Sequence, residues 1–208
     1  MTKKSQSRSG RAEKRFRPQR QRLQTHASPA RSPELASAFG RALAFHQAGR
    51  LPEAEELYRA ILNARPDDFD SLHLLGVIYH QRGDHEQAVR HMDAALEINP
   101  RLASAYNNRG NALGELRLFV EALASYDNAI AIEPAYAEAW VNRAITFAQL
   151  GRFDEALANC DRAAVLKPAD AGIWYNRGNA LKELRRFTEA VASYDRAIAL
   201  KPDCAGAF

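Results

Sequence analysis

Tyr106-Asn107-Asn108-Arg109-Gly110-Asn111-Ala112-Leu113 comes back further along the chain as Trp174-Tyr175-Asn176-Arg177-Gly178-Asn179-Ala180-Leu181. A shorter version, Trp140-Val141-Asn142-Arg143-Ala144, lies midway between them. Two of the copies run on into a matching second segment, Glu121-Ala122-Leu123-Ala124-Ser125-Tyr126-Asp127 and Glu189-Ala190-Val191-Ala192-Ser193-Tyr194-Asp195. Prolines punctuate the pattern at Pro66, Pro100, Pro134, Pro168 and Pro202, each 34 residues after the last. A fixed period of this length marks a solenoid, in which each unit buries its apolar face on its neighbours and the stack leaves a long groove. Aligned on the prolines, five full units cover 35–68, 69–102, 103–136, 137–170 and 171–204, and a sixth begins at Ala205 and stops at Phe208.

Both segments of a unit read as helix. They are rich in Ala, Leu, Glu and Arg, and apolar residues recur at three- and four-residue spacing, as in the stripe Trp174, Arg177/Gly178, Leu181 and Leu184 and again at Ala190, Val191, Tyr194, Ala197 and Ile198. Gly49, Gly83 and Gly151 supply the turn between the two helices, where a left-handed residue ends the first one; Arg117 and Arg185 take that place in two units. Asp84 reads as a cap for the helix that follows, and Pro52 falls in a first turn, where its missing N–H costs little. Each repeat proline sits where the second helix must stop. Ser32 before Pro33 predicts the start of the first helix.

Two columns of small residues allow close helix crossings: Ala42, Gly76, Gly110, Ala144, Gly178, and Ala54, Ala88, Ala122, Ala156, Ala190. Large side chains fill the layers between them, among them Trp140 and Trp174, Phe45, Tyr79 and Phe147, and Tyr58, Tyr126 and Tyr194. These residues, with the periodic proline, resemble the tetratricopeptide repeat (TPR) family, whose unit runs Trp…Leu-Gly…Tyr…Ala…Phe/Tyr…Ala…Pro. The resemblance covers 35–204. It implies an all-α fold, a right-handed TPR solenoid of five antiparallel helix pairs plus the start of a sixth. Departures from the pattern are Ala38 for Trp and Ile61 for Ala in the first unit, Cys160 for a ring in the fourth, and Arg109, Arg143 and Arg177 for Leu in the last three. A more loosely packed first unit is expected from the first two.

In this family the first helix of each unit lines the concave surface, and the resemblance implies a scaffold that binds a protein or an extended peptide there. Carried onto this chain, the exposed inner positions form three columns: Leu74, Asn108, Asn142, Asn176; Phe39, His73, Asn107, Val141, Tyr175; and Leu43, Val77, Asn111, Ile145, Asn179. Asparagine offers both donor and acceptor, so a ladder of amides one unit apart suits a peptide backbone of almost any sequence. The expected groove residues are Asn107, Asn108, Asn111, Asn142, Asn176, Asn179, Tyr175 and His73. The same amides can instead cap and bridge neighbouring helices. The ladder, with Leu57-Tyr58-Arg59-Ala60-Ile61-Leu62 and Leu72-His73-Leu74-Leu75-Gly76-Val77, also resembles the repeat arm of bacterial SPINDLY-like proteins and O-linked N-acetylglucosamine transferases. That resemblance implies the alternative of a substrate-docking arm whose catalytic domain is absent from this chain.

Charge divides the chain. Residues 1–33 hold ten Lys/Arg and one acid, a net of +9, while the remainder has 19 bases against 24 acids, a net of −5. The basic balance therefore belongs to a tail, 1–32, which reads as disordered on its Arg, Pro, Gln and Ser content. Such a tail suits nucleic acid or an anionic surface, or serves as a solvated leader. It is Arg- and Ser-rich like a mitochondrial presequence but lacks the spaced apolar residues of an amphipathic one. No apolar run approaches the roughly 20 residues of a membrane span. Two cysteines, Cys160 and Cys204, without Cys-x-x-Cys spacing, fit a reducing, cytoplasmic setting. His46, His73 and His80 fall near the early groove, with His85 and His91 further on, but no His-Glu-x-x-His accompanies them. We expect no metal, no cofactor and no catalytic constellation. The stop in the first turn of a sixth unit, without a polar capping helix, reads as a fragment.

Overall fold

The computed structural model describes residues 31–201. Among them lie ten helices and no strand: α1 (Pro33–Gln47), α2 (Leu51–Ala64), α3 (Phe69–Gln81), α4 (His85–Ile98), α5 (Ala103–Glu115), α6 (Phe119–Ile132), α7 (Ala137–Gln149), α8 (Phe153–Leu166), α9 (Ala171–Glu183) and α10 (Phe187–Leu200). Each helix packs on the next in sequence, and α3, α5 and α7 each also touch the next odd helix. No comparable contact joins successive even helices among the described residues. The odd helices thus form an inner layer drawn together, and the even helices an outer one.

The turn inside each unit is built the same way five times. The first helix closes with a left-handed residue, Gly49, Gly83 and Gly151 at φ 78°, 84° and 73°, and Arg117 and Arg185 at φ 61° and 59°. The next N–H then reaches back to the helix, at 2.9 Å in each of Arg50 to Phe45, Asp84 to Tyr79, Leu118 to Leu113, Arg152 to Phe147 and Arg186 to Leu181. Helix starts follow the sequence as well. Ser32 Oγ accepts from Leu35 N–H at 3.4 Å, and Asp84 Oδ1 accepts from Gln87 N–H at 3.2 Å. The even helices stop two residues before each repeat proline.

Both small columns lie at crossings. A Cβ added to Gly110 would meet the Tyr126 ring at 2.5 Å, and one added to Gly178 the Tyr194 ring at the same distance. The alanine column is buried from Ala54 to Ala190. Trp140 and Trp174 tie the inner helices to the loops before them, each indole N–H donating to the carbonyl of the repeat proline, Pro134 or Pro168, at 3.0 Å.

The first unit is not loosely packed. Phe39, Ala42, Ala54, Tyr58, Ile61, Leu74, Leu75 and Ile78 form one continuous cluster, with Ala38 against it. Ile61 is fully buried there. The reading of 1–32 as unstructured is corrected at its last two residues: Arg31 is held by ion pairs and Ser32 caps α1. The rest of that tail, and the partial sixth unit, lie outside the described residues.

Candidate binding groove

The inner layer brings the predicted groove residues together, but not as a row of waiting amides. Asn108 Nδ2 lies 3.0 Å from His73 Nε2, and Asn142 Nδ2 donates to Asn107 Oδ1 at 3.0 Å. Within α5 the two neighbours also meet, Asn107 Nδ2 to Asn108 Oδ1 at 3.5 Å. His73, Asn107, Asn108 and Asn142 are therefore one relay running through three inner helices. Asn107 is 0 % exposed, and His73 and Asn108 are buried too, as are Phe39 and Val77 in the flanking columns. The expectation of exposed inner columns is corrected at these positions. The cause is register: the pairs stand 35 residues apart, not 34. A side chain meets the neighbouring unit one position along, and the amides reach one another.

Asn111 and Asn179 have another use. Their side-chain oxygens accept from the hydroxyls of Tyr126 and Tyr194, each at 2.9 Å, pinning inner helix to outer within a unit. Burial holds the Tyr126 hydroxyl well above the ordinary tyrosine value, with Thr146 opposing. Tyr136, beside Asn107, is raised by burial and by Glu138 and Glu133.

Asn176 differs from the rest. It is half-buried on α9, and its side chain makes no hydrogen bond among the described residues. The position one register step before it in α7 is Val141, where His73 and Asn107 serve the earlier members. Valine offers no hydrogen bond. Tyr175 beside it stacks 6.0 Å from Tyr194.

The histidines do not gather in one site. His46 Nε2 lies 3.3 Å from Gln81 Oε1, His80 Nδ1 lies 3.1 Å from His85 Nδ1, and His91 Nδ1 lies 2.8 Å from the Gln87 carbonyl. Burial lowers the His46 pKa, opposed by Gln81; burial and then His85 lower that of His80, opposed by Glu115. Among the described residues no group of three His, Cys, Asp or Glu side chains is arranged to hold a metal. Cys160 is buried, and its thiol is pushed up to about 12, first by burial and then by Asp161, so it is not a reactive thiolate. No described helix is long and apolar enough to cross a membrane.

Two features escaped the sequence reading. The first is a column of arginine clamps. Arg109 bonds Asp93 in the helix before, at 2.5 Å, and Ser125 in the helix after, at 2.7 Å. Arg177 does the same with Asp161 and Ser193, both at 2.7 Å. Arg143 bonds Asp127 and, at 2.8 Å, Asn159. Every partner lies 16 residues away on either side, so the signal was present: Asp93, Asp127, Asp161 and Ser125, Asn159, Ser193 recur with the repeat period. The second is Arg31. Its guanidinium forks onto Asp68 at 2.7 and 2.8 Å, touches Asp70 at 2.9 Å, and stands 3.8 Å over the Phe39 ring. Burial alone would raise the Asp68 pKa; Arg31 and the Ser71 side chain and backbone N–H outweigh it and hold the carboxyl below its ordinary value.

The geometry is that of stacked helix hairpins with a shared inner face, and family comparison agrees. A model of the tetratricopeptide repeat matches residues 27–69 and 107–171, and further models of the same repeat match 57–90, 76–116 and 171–204. The chain belongs to the tetratricopeptide repeat family. Among characterised proteins this TPR chain is 34 % identical over 98 residues to cellulose synthase operon protein C of Komagataeibacter xylinus, a match covering 45 % of this chain and 8 % of that protein. Solved structures share the fold. A MamA structure superposes with a TM-score of 0.71 at 21 % identity, covering 83 % of this chain and 94 % of that one. PilF of Pseudomonas aeruginosa gives 0.73 at 20 % identity, over 79 % and 75 %. YrrB, described as a TPR protein with an unusual peptide-binding site, gives 0.66 at 21 % identity, over 80 % and 86 %.

Proposed function

We propose that this TPR chain is a binding module that holds an extended peptide segment of a protein partner along its inner face, and that it performs no chemistry of its own. The observation that carries this is Asn176, a half-buried amide on the inner layer whose side chain makes no hydrogen bond among the described residues. A half-buried amide with no protein partner keeps its donor and acceptor for water, and a peptide backbone crossing α9 would take up both. Tyr175 next to it gives a ring edge for an apolar side chain. The description of YrrB as carrying a peptide-binding site supports the reading by analogy of fold. The reading of the chain as the docking arm of a longer glycosyltransferase would use the same face.

The test is to select an extended peptide against the full chain from a random library and to measure its affinity. Asn176→Ala should weaken binding about 2- to 10-fold, the worth of roughly one hydrogen bond, with the thermal melt unchanged. Asn142→Ala should lower the melt instead, because it breaks the bond to Asn107. Affinity unchanged by Asn176→Ala would remove α9 from the binding surface.

A further inference from the structure

The column of arginine clamps has one open place. In the last three units an arginine of the inner helix stands between two outer helices and bonds both. At that position the second unit carries Leu75, and the outer positions 16 residues to either side carry Arg59 and His91. The polarity is inverted. Where Asp93, Asp127 and Asp161 give the clamps a carboxylate, Arg59 gives a guanidinium. A cleft of about 550 Å³ opens there between α2 and α4, with Arg59, Tyr79 and His91 on its walls and Leu62 and Leu75 in its apolar lining. A volume of that order, with a few polar groups around an apolar lining, is the usual make-up of a ligand site.

The polar groups of the cleft are only partly engaged. Arg59 bonds Glu55 at 2.9 Å and the Tyr79 hydroxyl, both through Nη2; its Nε and Nη1 have no partner among the described residues, and its side chain is 57 % exposed. Glu55 does not neutralise this wall, because it also pairs with Arg82, so two guanidiniums meet one carboxylate. The other acid of the lining, Asp84, accepts from Gln87 N–H at the start of α4. The side-chain amides of Asn63 and Gln87 have no hydrogen bond among the described residues. His91 is held in place, with Nδ1 2.8 Å from the Gln87 carbonyl and its ring 4.9 Å from that of Tyr79.

We propose that this cleft in the outer layer is a second binding site, which takes an acidic side chain of a partner protein. The carboxylate of an Asp or Glu enters between α2 and α4, accepts from Arg59 and from the Asn63 or Gln87 amide, and lays its methylenes over Leu62 and Leu75. It restores from outside, with the polarity reversed, the charge-assisted bond that the clamps make within the chain. Asp84 at the lining selects against a phosphate, which carries nearly two charges, and leaves room for the single charge of a carboxylate. The site uses no residue of the inner face, so it stands or falls apart from the groove reading.

The test titrates the isotope-labelled full chain with acetyl-Ala-Glu-Ala-amide and, separately, with its glutamine isostere. Magnetic resonance of the arginine Nε–H groups and of the Tyr79 and His91 rings is the readout. The glutamate peptide should shift the Arg59 Nε–H several-fold more than those of the exposed Arg162 and Arg196, with both rings following the same curve. The glutamine peptide should leave all of them in place. The response should fade in 1 M salt, where screening shortens to a few ångströms. Arg59→Gln should abolish it with the melt near that of the wild type, since the ion pair lost is an exposed one. A second variant, Leu75→Arg with Arg59→Asp and His91→Ser, builds the missing clamp from the chain's own residues, and it should fold and lose the response too. Equal shifts at all three arginines, equal shifts with both peptides, no shift, or a response that survives Arg59→Gln overturns the proposal. Shifts confined to Tyr175 and Asn176 overturn it as well and support the inner groove instead.

Discussion

The second unit and the last three solve the same packing position in opposite ways. Leu75 in α3 is buried in an aliphatic and aromatic cluster with Tyr58, Ile61 and Ile78. One unit on, and in each unit after that, the equivalent residue is Arg109, Arg143 or Arg177, and the layer is closed by ion pairs and hydrogen bonds to the helices before and after. A dry layer draws on burial and shape. A clamped layer draws on directional bonds that register two outer helices against one inner helix. The same backbone spacing accepts either, provided every member of the layer is of one kind. A solenoid is thus not chemically uniform along its length even where its period is.

The sharpest way to break this comparison is to move an arginine into the dry layer. In Leu75→Arg the positions that serve as clamp partners elsewhere are Arg59, which stands where the clamps have a carboxylate and adds like charge, and His91, whose one imidazole acceptor brings no negative charge. An uncompensated buried charge costs about 3–5 kcal/mol. The urea midpoint should fall steeply, and exchange protection should be lost first in α1–α4. A variant as stable as the wild type would show that the layer tolerates mixed chemistry.

Overpacking sharpens the comparison along the stack. Ala122 is fully buried between helices that have neighbours on both sides, and Ala122→Phe should cost about 1–3 kcal/mol. Ala190→Phe should cost less. Its helix, α10, has no described helix beyond it; Val191 on it is 57 % exposed, whereas its counterpart Leu157 on α8 is buried. There the added ring has room to turn outward. Equal losses in the two melts would count against nearest-neighbour stacking.

The fold was legible because it rests on features that repeat at 34 residues, the prolines, the turn residues and the two small columns. The groove was only partly legible. Columns read at 34 hide contacts made at 35, so the relay from His73 through Asn108 and Asn107 to Asn142 was invisible as a relay. The clamp partners recur with the period too, but they lie on the even helices, half a unit away, so along the odd helices alone the arginines stand out only as departures from an apolar pattern. Arg31 had no periodic signal at all. It precedes the array, and only the folded chain brings it to Asp68 and Asp70.

Removing a clamp should be mild. In Arg143→Leu the apolar side chain still fills part of the layer, Asp127 is exposed enough to be rehydrated, and Asn159 keeps its bond to the Glu155 carbonyl at 2.7 Å. The loss should be about 1 kcal/mol, far below that of Leu75→Arg. A loss as large as that of the reverse swap would mean that the ion pairs, and not the burial around them, hold the last three units together.

The smallest expected effect separates the two regions by pH. Every described histidine, His46, His73, His80, His85 and His91, lies in the first two units, and none lies in the last three. Burial lowers the folded-state pKa of His46, and burial with His85 lowers that of His80. A base whose pKa is lower folded than unfolded binds fewer protons in the native state, so stability falls as pH drops through the unfolded value near 6.5 and levels off below the folded one. Between pH 7 and 5, amide exchange corrected for its intrinsic rate should therefore speed up in α1–α4 and hold steady in α7–α10. The direction is decided by the imidazoles alone in this window, because Asp68, whose carboxyl lies below its ordinary value, loses its share of stability only at more acid pH. His80→Gln should blunt the response, since it removes one of the two lowered groups and leaves His46 to titrate. An equal response in both halves would show that the acid sensitivity comes from the carboxylates spread through the array and not from the histidines confined to its first two units.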